Sequence, residues 1–348
     1  MSKDLQTSAD ISLLVCTYNR REDLRELLMT AIAQETGGAF AYEIIVVDNN
    51  SSDDTRRVVE EFIAGGHRNI RYLFEGRQGK SHALNTGLSA ARGWIYTICD
   101  DDFILPKNWL KDIFEAFRVH TEVSFVSGKV LPLWQSAAPA WLTQKHWSPI
   151  AMADYGEEAF YADEDNQICL LACSFRLADV KTVGGYHSEL GVSKGKIGGT
   201  EDAEILQRLW KSGRKGIYLP HIAFYHKVTP DRLTKSYHRR WHRGHGRFYA
   251  LMREEEFERA SARLFDVPAH LYKQAMRDAR GWLANSLRGK PELAFQHETQ
   301  LCFFKGFFQQ RRADYSAAGK HGIVRELVSF ARALAGGKTR HGARAQIN

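Results

Sequence analysis

The first 120 residues alternate short apolar runs of β type with segments in which apolar side chains recur at helical spacing, and this alternation strongly constrains the fold. Four runs predict strands that are buried on both faces: Ile11–Cys16, Tyr42–Val47, Ile70–Phe74 and Trp94–Cys99. Strands and helices that alternate at this period predict an α/β fold on a mostly parallel, doubly wound sheet.

Polar residues follow three of the four predicted strands. The first strand leads into Thr17–Arg20, the second into Asp48–Asp54 and the fourth into Asp100–Asp102. Helix capping explains the acid or serine next to a helix start, but it does not require Asp48 at the end of the strand itself. Because ligands of doubly wound sheets bind beyond the carboxyl ends of the strands, we expect the functional site at this edge.

The run Asp100–Asp102 is the most specific of these features. Adjacent carboxylates repel one another, so a buried acidic cluster implies a cation. Alternate residues after a strand point the same way, so Asp100 and Asp102 share a face. Oxygen ligands at this spacing suit Mg²⁺ or Mn²⁺ held together with a diphosphate, and the alternative is a solvated acidic loop.

A second pair of carboxylates, Glu201 and Asp202, opens a helix after the glycine-rich segment Gly191–Gly199. Acids at a helix start fit an ordinary capping arrangement. They equally fit a general base presented at the mouth of a site.

The charge of the chain is unevenly distributed about its net value of +7. Residues 1–226 carry 24 basic and 30 acidic side chains, whereas residues 227–348 carry 24 basic and 11 acidic ones. A basic half predicts an anionic partner such as a phosphorylated ligand, a nucleic acid or a membrane surface. The N-terminus has no signal-peptide core and no apolar run is long enough to span a bilayer, which predicts a cytoplasmic protein.

We expect three parts: an α/β domain over residues 10–230, a basic helical region over 231–335 and a disordered tail over 336–348. Motifs in a fixed order extend through the first part: Val15–Arg20, Val46–Thr55, Gly79–Leu88, Asp100–Asp102, Ser174–Arg176, Gly184–Tyr186 and Gly199–Asp202. In this order and spacing the chain resembles the family 2 glycosyltransferases, which are inverting enzymes with the GT-A fold.

The resemblance implies a role for each matching residue. Those expected to contact the nucleotide sugar are Thr17, Asn19 and Arg20 under the nucleotide, Asp48 at the base, Lys80 and Asn85 near the ribose, and Asp100 and Asp101. Asp102 would ligate Mn²⁺ or Mg²⁺, and His226 stands where some relatives have a further metal ligand, although a structural histidine is the alternative. Asp202 would act as the catalytic base, and Glu201 would orient the acceptor or its loop.

The segment Arg239-Arg240-Trp241 resembles the end of the QxxRW motif of processive family members, but Tyr237 stands where the glutamine is expected. We therefore expect addition of a single sugar. The segment either contacts the donor diphosphate or acceptor, or is a solvated helix face. Trp134, Trp141 and Trp147 fit either a platform for an acceptor sugar or aromatic packing.

Two basic apolar segments near the C-terminus, residues 301–312 and Ile323–Leu334, fit peripheral contact with the inner face of a membrane. They fit equally well helices packed on the protein.

The resemblance implies transfer of a sugar from a nucleotide-linked donor, with UDP expected, to a glycan or lipid-linked saccharide. A nucleotidyltransferase of sugar phosphates is the alternative among enzymes, but Thr17–Arg20 lacks a glycine-rich phosphate loop. A basic nucleic-acid-binding protein is the alternative outside enzymes. No zinc-finger, RNP or helix-turn-helix signature supports it, so we expect no nucleic acid partner.

Overall fold

A computed structural model of the chain describes residues 9–260 and 262–319. These residues form two compact units, and the division in the chain falls after Pro230. The first unit contains the residues up to Ala138 together with Ile150–Gly195 and Glu201–Pro230. The second contains those from Asp231 onward, together with Pro139–Pro149 and Lys196–Thr200.

Four parallel strands form one half of the central sheet of the first unit: β1 (Ile11–Thr17), β2 (Tyr42–Asp48), β3 (Ile70–Phe74) and β4 (Ile95–Asp100). They lie in the order β3-β2-β1-β4. Each predicted strand is confirmed to within a residue at either end. The apolar side chains of β1 and β2 are almost all fully buried, as expected of strands covered on both faces.

Helices follow these strands, as the alternation predicts: α1 (Arg21–Ile32), α2 (Thr55–Ala64), α3 (Lys80–Ala90) and α4 (Trp109–Val119). The apolar stripe of α1 is buried at Leu24, Leu27, Leu28 and Ala31. The hydrophobic effect on these stripes fixes which side of each helix meets the sheet.

The remaining strands make the sheet mixed: β5 (Phe103–Ile104), β6 (Phe125–Trp134), β7 (Phe160–Ala162), β8 (Ser174–Arg176) and β9 (Gly216–Val228). Among the described residues nine strands join in one sheet, in which β8 lies antiparallel between β4 and β6, and β6 pairs in parallel with β9. Helices α5 (Leu177–Thr182) and α6 (Glu201–Lys211) complete the unit. The predicted α/β class is confirmed.

The second unit is mainly helical. Its helices are α7 (Lys235–Met252), α8 (Glu255–Glu258), α9 (Ala269–Leu287) and α10 (Pro291–Ala317). A short antiparallel pair, β10 (Arg263–Leu264) and β11 (Val267–Pro268), precedes α9.

The aromatic run of α10 forms the core of this unit. Phe303, Phe304 and Phe307 are at most 3% exposed and pack against Leu271 of α9. Internal packing, rather than a membrane face, therefore accounts for these phenylalanines. The second predicted membrane segment, Ile323–Leu334, and the tail over 336–348 lie outside the described residues. In the part of the chain that the structure covers, no helix has the length and apolarity needed to cross a bilayer.

The tryptophans of the Trp/Pro segment do not share one environment. The Trp141 ring meets the His238 ring edge-on at 4.9 Å and the Phe295 ring at 5.1 Å. Trp134 is partly exposed at the end of β6. The geometry thus supports aromatic packing for Trp141.

Candidate active site

The carboxyl ends of β1, β2 and β4 bring the predicted polar residues to one edge of the sheet. In the parallel ladders Thr17 stands opposite Asp48, and Cys16 stands opposite Asp100. Residues 31 and 84 positions apart thus become neighbours because three parallel strands end at the same level.

Asp101 and Asp102 are buried and held by two donors, one at the end of β1 and one in the loop after it. The Thr17 hydroxyl donates to Asp101 Oδ2 at 2.8 Å. Arg20 Nη1 lies 3.0 Å from Asp101 Oδ1 and 2.8 Å from Asp102 Oδ2. Burial raises the pKa of Asp101 to about 7, although the Arg20 guanidinium lowers it. The guanidinium thus offsets part of the repulsion between two adjacent carboxylates.

Asp102 also meets His226, which pairs with Phe103 where β5 runs antiparallel to β9. His226 Nε2 lies 3.2 Å from Asp102 Oδ2, and its side chain is 2% exposed. The neighbouring Lys227 donates its backbone N–H to the Asp102 carbonyl oxygen at 3.0 Å, which ties the acidic turn to β9.

A carboxylate oxygen and an imidazole nitrogen at this separation can bind one divalent cation together, and Mn²⁺ accepts both donor types. The described residues contain no group of three or more His, Cys, Asp or Glu side chains that could hold a metal alone. The site therefore fits a cation that takes its remaining ligands from a bound diphosphate and water.

Lys80, the first residue of α3, connects the acidic turn to the start of α6. Its Nζ lies 2.9 Å from Asp100 Oδ1 and 3.6 Å from Glu201 Oε1. Burial lowers the pKa of Lys80, but the charges of Asp100, Glu201 and Asp202 raise it well above its usual value. The ammonium therefore stays charged among these three carboxylates.

The two acids of α6 sit in a desolvated environment. Burial raises the pKa of Glu201 to about 7 against the lowering effect of Lys80. Burial likewise raises the pKa of Asp202, and Lys80 lowers it. A carboxylate with a raised pKa binds a proton more strongly than an exposed aspartate does, which suits a general base.

Asp48 is fixed at both carboxylate oxygens. The Ser51 backbone N–H donates to Oδ1 at 2.8 Å, and the Tyr72 hydroxyl donates to Oδ2 at 2.8 Å. Burial raises the pKa of Tyr72, as does its bond to Asp48, so the hydroxyl remains a donor. Tyr72 is not among the residues predicted from the sequence. The strand pattern places it near Asp48 on the neighbouring strand but does not indicate this bond.

Two asparagines of the predicted nucleotide site are engaged with the backbone. Asn19 has a left-handed φ of 53°, and its Oδ1 accepts from the Ser52 N–H at 2.7 Å. The Asn85 side chain donates to the Tyr186 carbonyl at 2.7 Å and accepts from the Tyr186 N–H at 2.8 Å. The Asn19 amide thus joins the loops after β1 and β2, and the Asn85 amide joins α3 to the turn after α5.

The segment Arg239-Arg240-Trp241 lies in α7 of the second unit. Arg239 pairs with Glu298 at 2.7 Å, and the Trp241 ring stacks on His245 at 4.6 Å. These contacts belong to the packing of that unit, and the predicted role at the diphosphate or acceptor stays a prediction.

Lys227 is a further residue of the site that the sequence pattern does not indicate. Its side chain is 5% exposed, and its Nζ lies 2.9 Å from Asp23 and 2.6 Å from Glu26 of α1. The acids on α1 and the lysine after His226 are about 200 positions apart, so no local pattern could pair them. Lys227 therefore anchors β9 to the helix that follows Arg20.

Sequence comparison supports the family. Residues 12–165 match the model for glycosyl transferase family 2. An uncharacterized glycosyltransferase of Nostoc sp. is 29% identical over 108 residues, 31% of this chain and 33% of that protein. Glycosyltransferase GlyA of Streptococcus pneumoniae is 23% identical over 235 residues, 66% of this chain and 32% of GlyA. The aligned parts thus span about a third of the length of each curated relative.

Solved structures support the fold. A mannosyltransferase of Pyrobaculum calidifontis, in complex with GDP-Man and Mn²⁺, superposes with a TM-score of 0.53 at 19% identity, covering 96% of this chain and 82% of that one. S. aureus TarS in complex with UDP-GlcNAc gives a TM-score of 0.51 at 17% identity, covering 83% and 90% of the two chains. The resemblance that the motifs predict is thus confirmed: residues 12–165, less than half of the chain, match the model for glycosyl transferase family 2.

Proposed function

We propose that this protein is a metal-dependent, inverting glycosyltransferase that moves one sugar from a nucleotide sugar, with UDP as the expected nucleotide, to a hydroxyl of a glycan or lipid-linked saccharide. One observation carries the proposal. Three strand ends and the start of α6 bring a buried acidic turn, a lysine and two further carboxylates into one cluster.

In this proposal the first strand ends hold the nucleotide. Asp48 accepts a hydrogen bond from the base, and Tyr72 and Ser51 keep its carboxylate oriented. Thr17, Asn19 and Arg20 lie beneath the nucleotide, with Lys80, Asn85, Asp100 and Asp101 around the ribose and diphosphate.

Asp102, with His226, would hold Mn²⁺ or Mg²⁺ against the donor diphosphate. When bound, the cation neutralises the charge that develops on the leaving diphosphate. The mannosyltransferase complex with GDP-Man and Mn²⁺ supports this assignment by its likeness of fold. The pair of one carboxylate and one imidazole favours Mn²⁺ over Mg²⁺, which prefers oxygen ligands.

Asp202 would serve as the base. It accepts the proton of the acceptor hydroxyl while the hydroxyl oxygen forms a bond to the anomeric carbon. The bond from that carbon to the diphosphate oxygen breaks on the opposite face, and its electron pair leaves with the nucleoside diphosphate. A single displacement of this kind inverts the anomeric centre. Lys80 favours the ionised form of Asp202, and Glu201 orients the acceptor.

The substitution Asp202→Asn tests this assignment. It keeps the shape of the side chain but removes the proton acceptor, so we expect transfer to fall by about 10²-fold or more. The affinity for UDP, measured by titration calorimetry, should change by less than about threefold, because Asp202 does not contact the nucleotide in this proposal. Glu158→Gln, at an exposed carboxylate of the same unit, is the matched control.

Undiminished transfer by Asp202→Asn would remove the base assignment while leaving the family function intact. A wild-type protein that binds neither UDP nor GDP, with or without Mn²⁺, would contradict the proposed function as a whole.

A further inference from the structure

Helix α9 exposes an apolar stripe that no other described part of the chain covers. Met276, Leu283 and Leu287 are 54%, 53% and 79% exposed. Their intervals of seven and four residues place them on one side of the helix. The opposite side packs on α10 through Leu271, so α9 has one partner within the protein and one open apolar face.

Basic side chains border this stripe along its length. At about 100° per residue, Lys273, Arg277 and Arg280 fall on the adjoining side of the helix. Arg288 caps its C-terminus, and all four side chains are exposed. None of the four forms an ion pair with any residue within 9–260 or 262–319. These cations are therefore available to an external anion.

Acidic charge is kept away from the exposed side. The one acid of α9, Asp278, is 15% exposed and pairs with His297 Nδ1 of α10 at 2.8 Å. Trp282, 43% exposed, lies on the Leu271 side of the helix, away from the stripe.

We propose that this face of α9 binds peripherally to a membrane surface rich in anionic lipid. The aliphatic stripe would enter the headgroup region, and the basic row would meet phosphate groups, as in interfacial helices. This inference is independent of the catalytic proposal, because it rests on side chains remote in sequence from the acidic turn.

The charge arrangement separates this partner from two others. In a symmetric contact with a second copy, the same patch faces itself, so the basic rows of the two copies would gain no acidic partner. A nucleic acid would satisfy the cations but would leave three exposed aliphatic side chains against phosphate and sugar. An anionic bilayer offers an apolar interior to the aliphatic stripe and phosphate groups to the basic row.

Flotation of the full chain with vesicles tests the proposal. We expect binding to phosphatidylcholine vesicles that contain phosphatidylglycerol, weakened by high salt, and little binding to phosphatidylcholine alone. The variant Arg277→Gln/Arg280→Gln/Arg288→Gln should lower the affinity by about a hundredfold, and Leu283→Gln/Leu287→Gln by at least about tenfold. All five positions are exposed, so the far-UV spectrum and thermal midpoint should stay close to wild type.

The control Arg68→Gln/Lys111→Gln/Lys181→Gln removes the same charge from exposed sites of the first unit, and it should retain binding within about threefold. Equal losses in the two triple variants would overturn the proposal, because they would indicate attraction by net charge alone. Wild-type binding by the leucine variant would overturn it as well, since another segment would then carry the contact. Self-association that this variant abolishes, in a protein that binds no vesicles, would assign the face to a second copy instead.

Discussion

At the scale of single residues, Asp48 is held at both carboxylate oxygens. The Ser51 backbone N–H donates to one oxygen and the Tyr72 hydroxyl donates to the other, so the carboxylate is held in one orientation. A group prepared in this way binds a ligand with little loss of side-chain entropy. Tyr72 is therefore a positioning residue whose effect should appear in nucleotide affinity.

The substitution Tyr72→Phe tests this role. Loss of one hydrogen bond to a charged group corresponds to about 1.5–3 kcal/mol at most, and water replaces part of it at this partly exposed site. We expect UDP to bind about three- to tenfold more weakly by calorimetry, with turnover at saturating donor close to wild type. Tyr42→Phe, whose hydroxyl bonds to the Ala31 carbonyl at 3.0 Å, should leave UDP affinity unchanged. Equal affinities of Tyr72→Phe and wild type would contradict the positioning role.

At the scale of elements, α7 and α10 approach so closely that glycines of each meet the backbone of the other. A Cβ at Gly246 would collide with the Phe303 carbonyl oxygen, and one at Gly306 would collide with the Arg243 carbonyl oxygen. Neither φ is left-handed, so space rather than backbone conformation requires glycine here.

Gly306→Ala should therefore destabilise the protein. Forcing the helices apart costs about 1–3 kcal/mol, and the better helix propensity of alanine recovers up to about 1 kcal/mol. We expect a net loss of roughly 1 kcal/mol in the free energy of unfolding, measured with denaturant. Gly76→Ala, where the nearest atom to a Cβ is a Phe74 ring carbon at 3.5 Å, should be nearly neutral. A Gly306→Ala protein as stable as wild type would show that the two helices can separate without cost.

The elements also show what can be predicted from sequence. The four parallel strands and their polar ends follow from local periodicity, and so does the position of the acidic turn at the ligand edge. The three-residue strand β8 is too short to carry a period, and its insertion between β4 and β6 depends on contacts distant in sequence. Pro220 lies inside β9, a strand of 13 residues, and interrupts the strand pattern there, so local periodicity does not predict the whole strand.

The candidate site is likewise predictable from the sequence only in part. Residue types at strand ends indicate an anion and metal site, but not which donors meet. Arg20 bridges Asp101 and Asp102, and Lys80 bridges Asp100 and Glu201, through side-chain directions that depend on the assembled sheet. Asn85 is predicted near the ribose, yet its amide holds the backbone at Tyr186.

At the scale of the whole molecule, the basic second unit also contains buried histidines. Burial lowers the pKa of His238 to about 4 and that of His245 to about 4. In the unfolded chain these rings take up a proton near pH 6.5, whereas in the folded protein they stay neutral until about pH 4. The unfolded state therefore binds more protons in this window, and stability falls as the pH decreases from 6.5 to 4.

His238→Phe should remove part of this dependence. The ring is fully buried beside Trp141 and Phe295, so a phenyl group suits the site. Between pH 7 and pH 4 the free energy of unfolding should decrease in both proteins. The decrease should be smaller in the variant than in wild type, by up to roughly 3 kcal/mol. Parallel stability profiles of the two proteins between pH 7 and 4 would show that His238 does not titrate in this way.

In the proposed function, Asp102 holds a divalent cation against the diphosphate of a nucleotide sugar. Release of nucleoside diphosphate from a panel of UDP- and GDP-sugars, with and without Mn²⁺, tests it most directly, using wild type and Asp102→Asn. We predict release that requires Mn²⁺, that is fastest with a UDP-sugar and that Asp102→Asn lowers by at least about 10²-fold. Release at the same rate without a divalent cation, or undiminished release by Asp102→Asn, would contradict the claim.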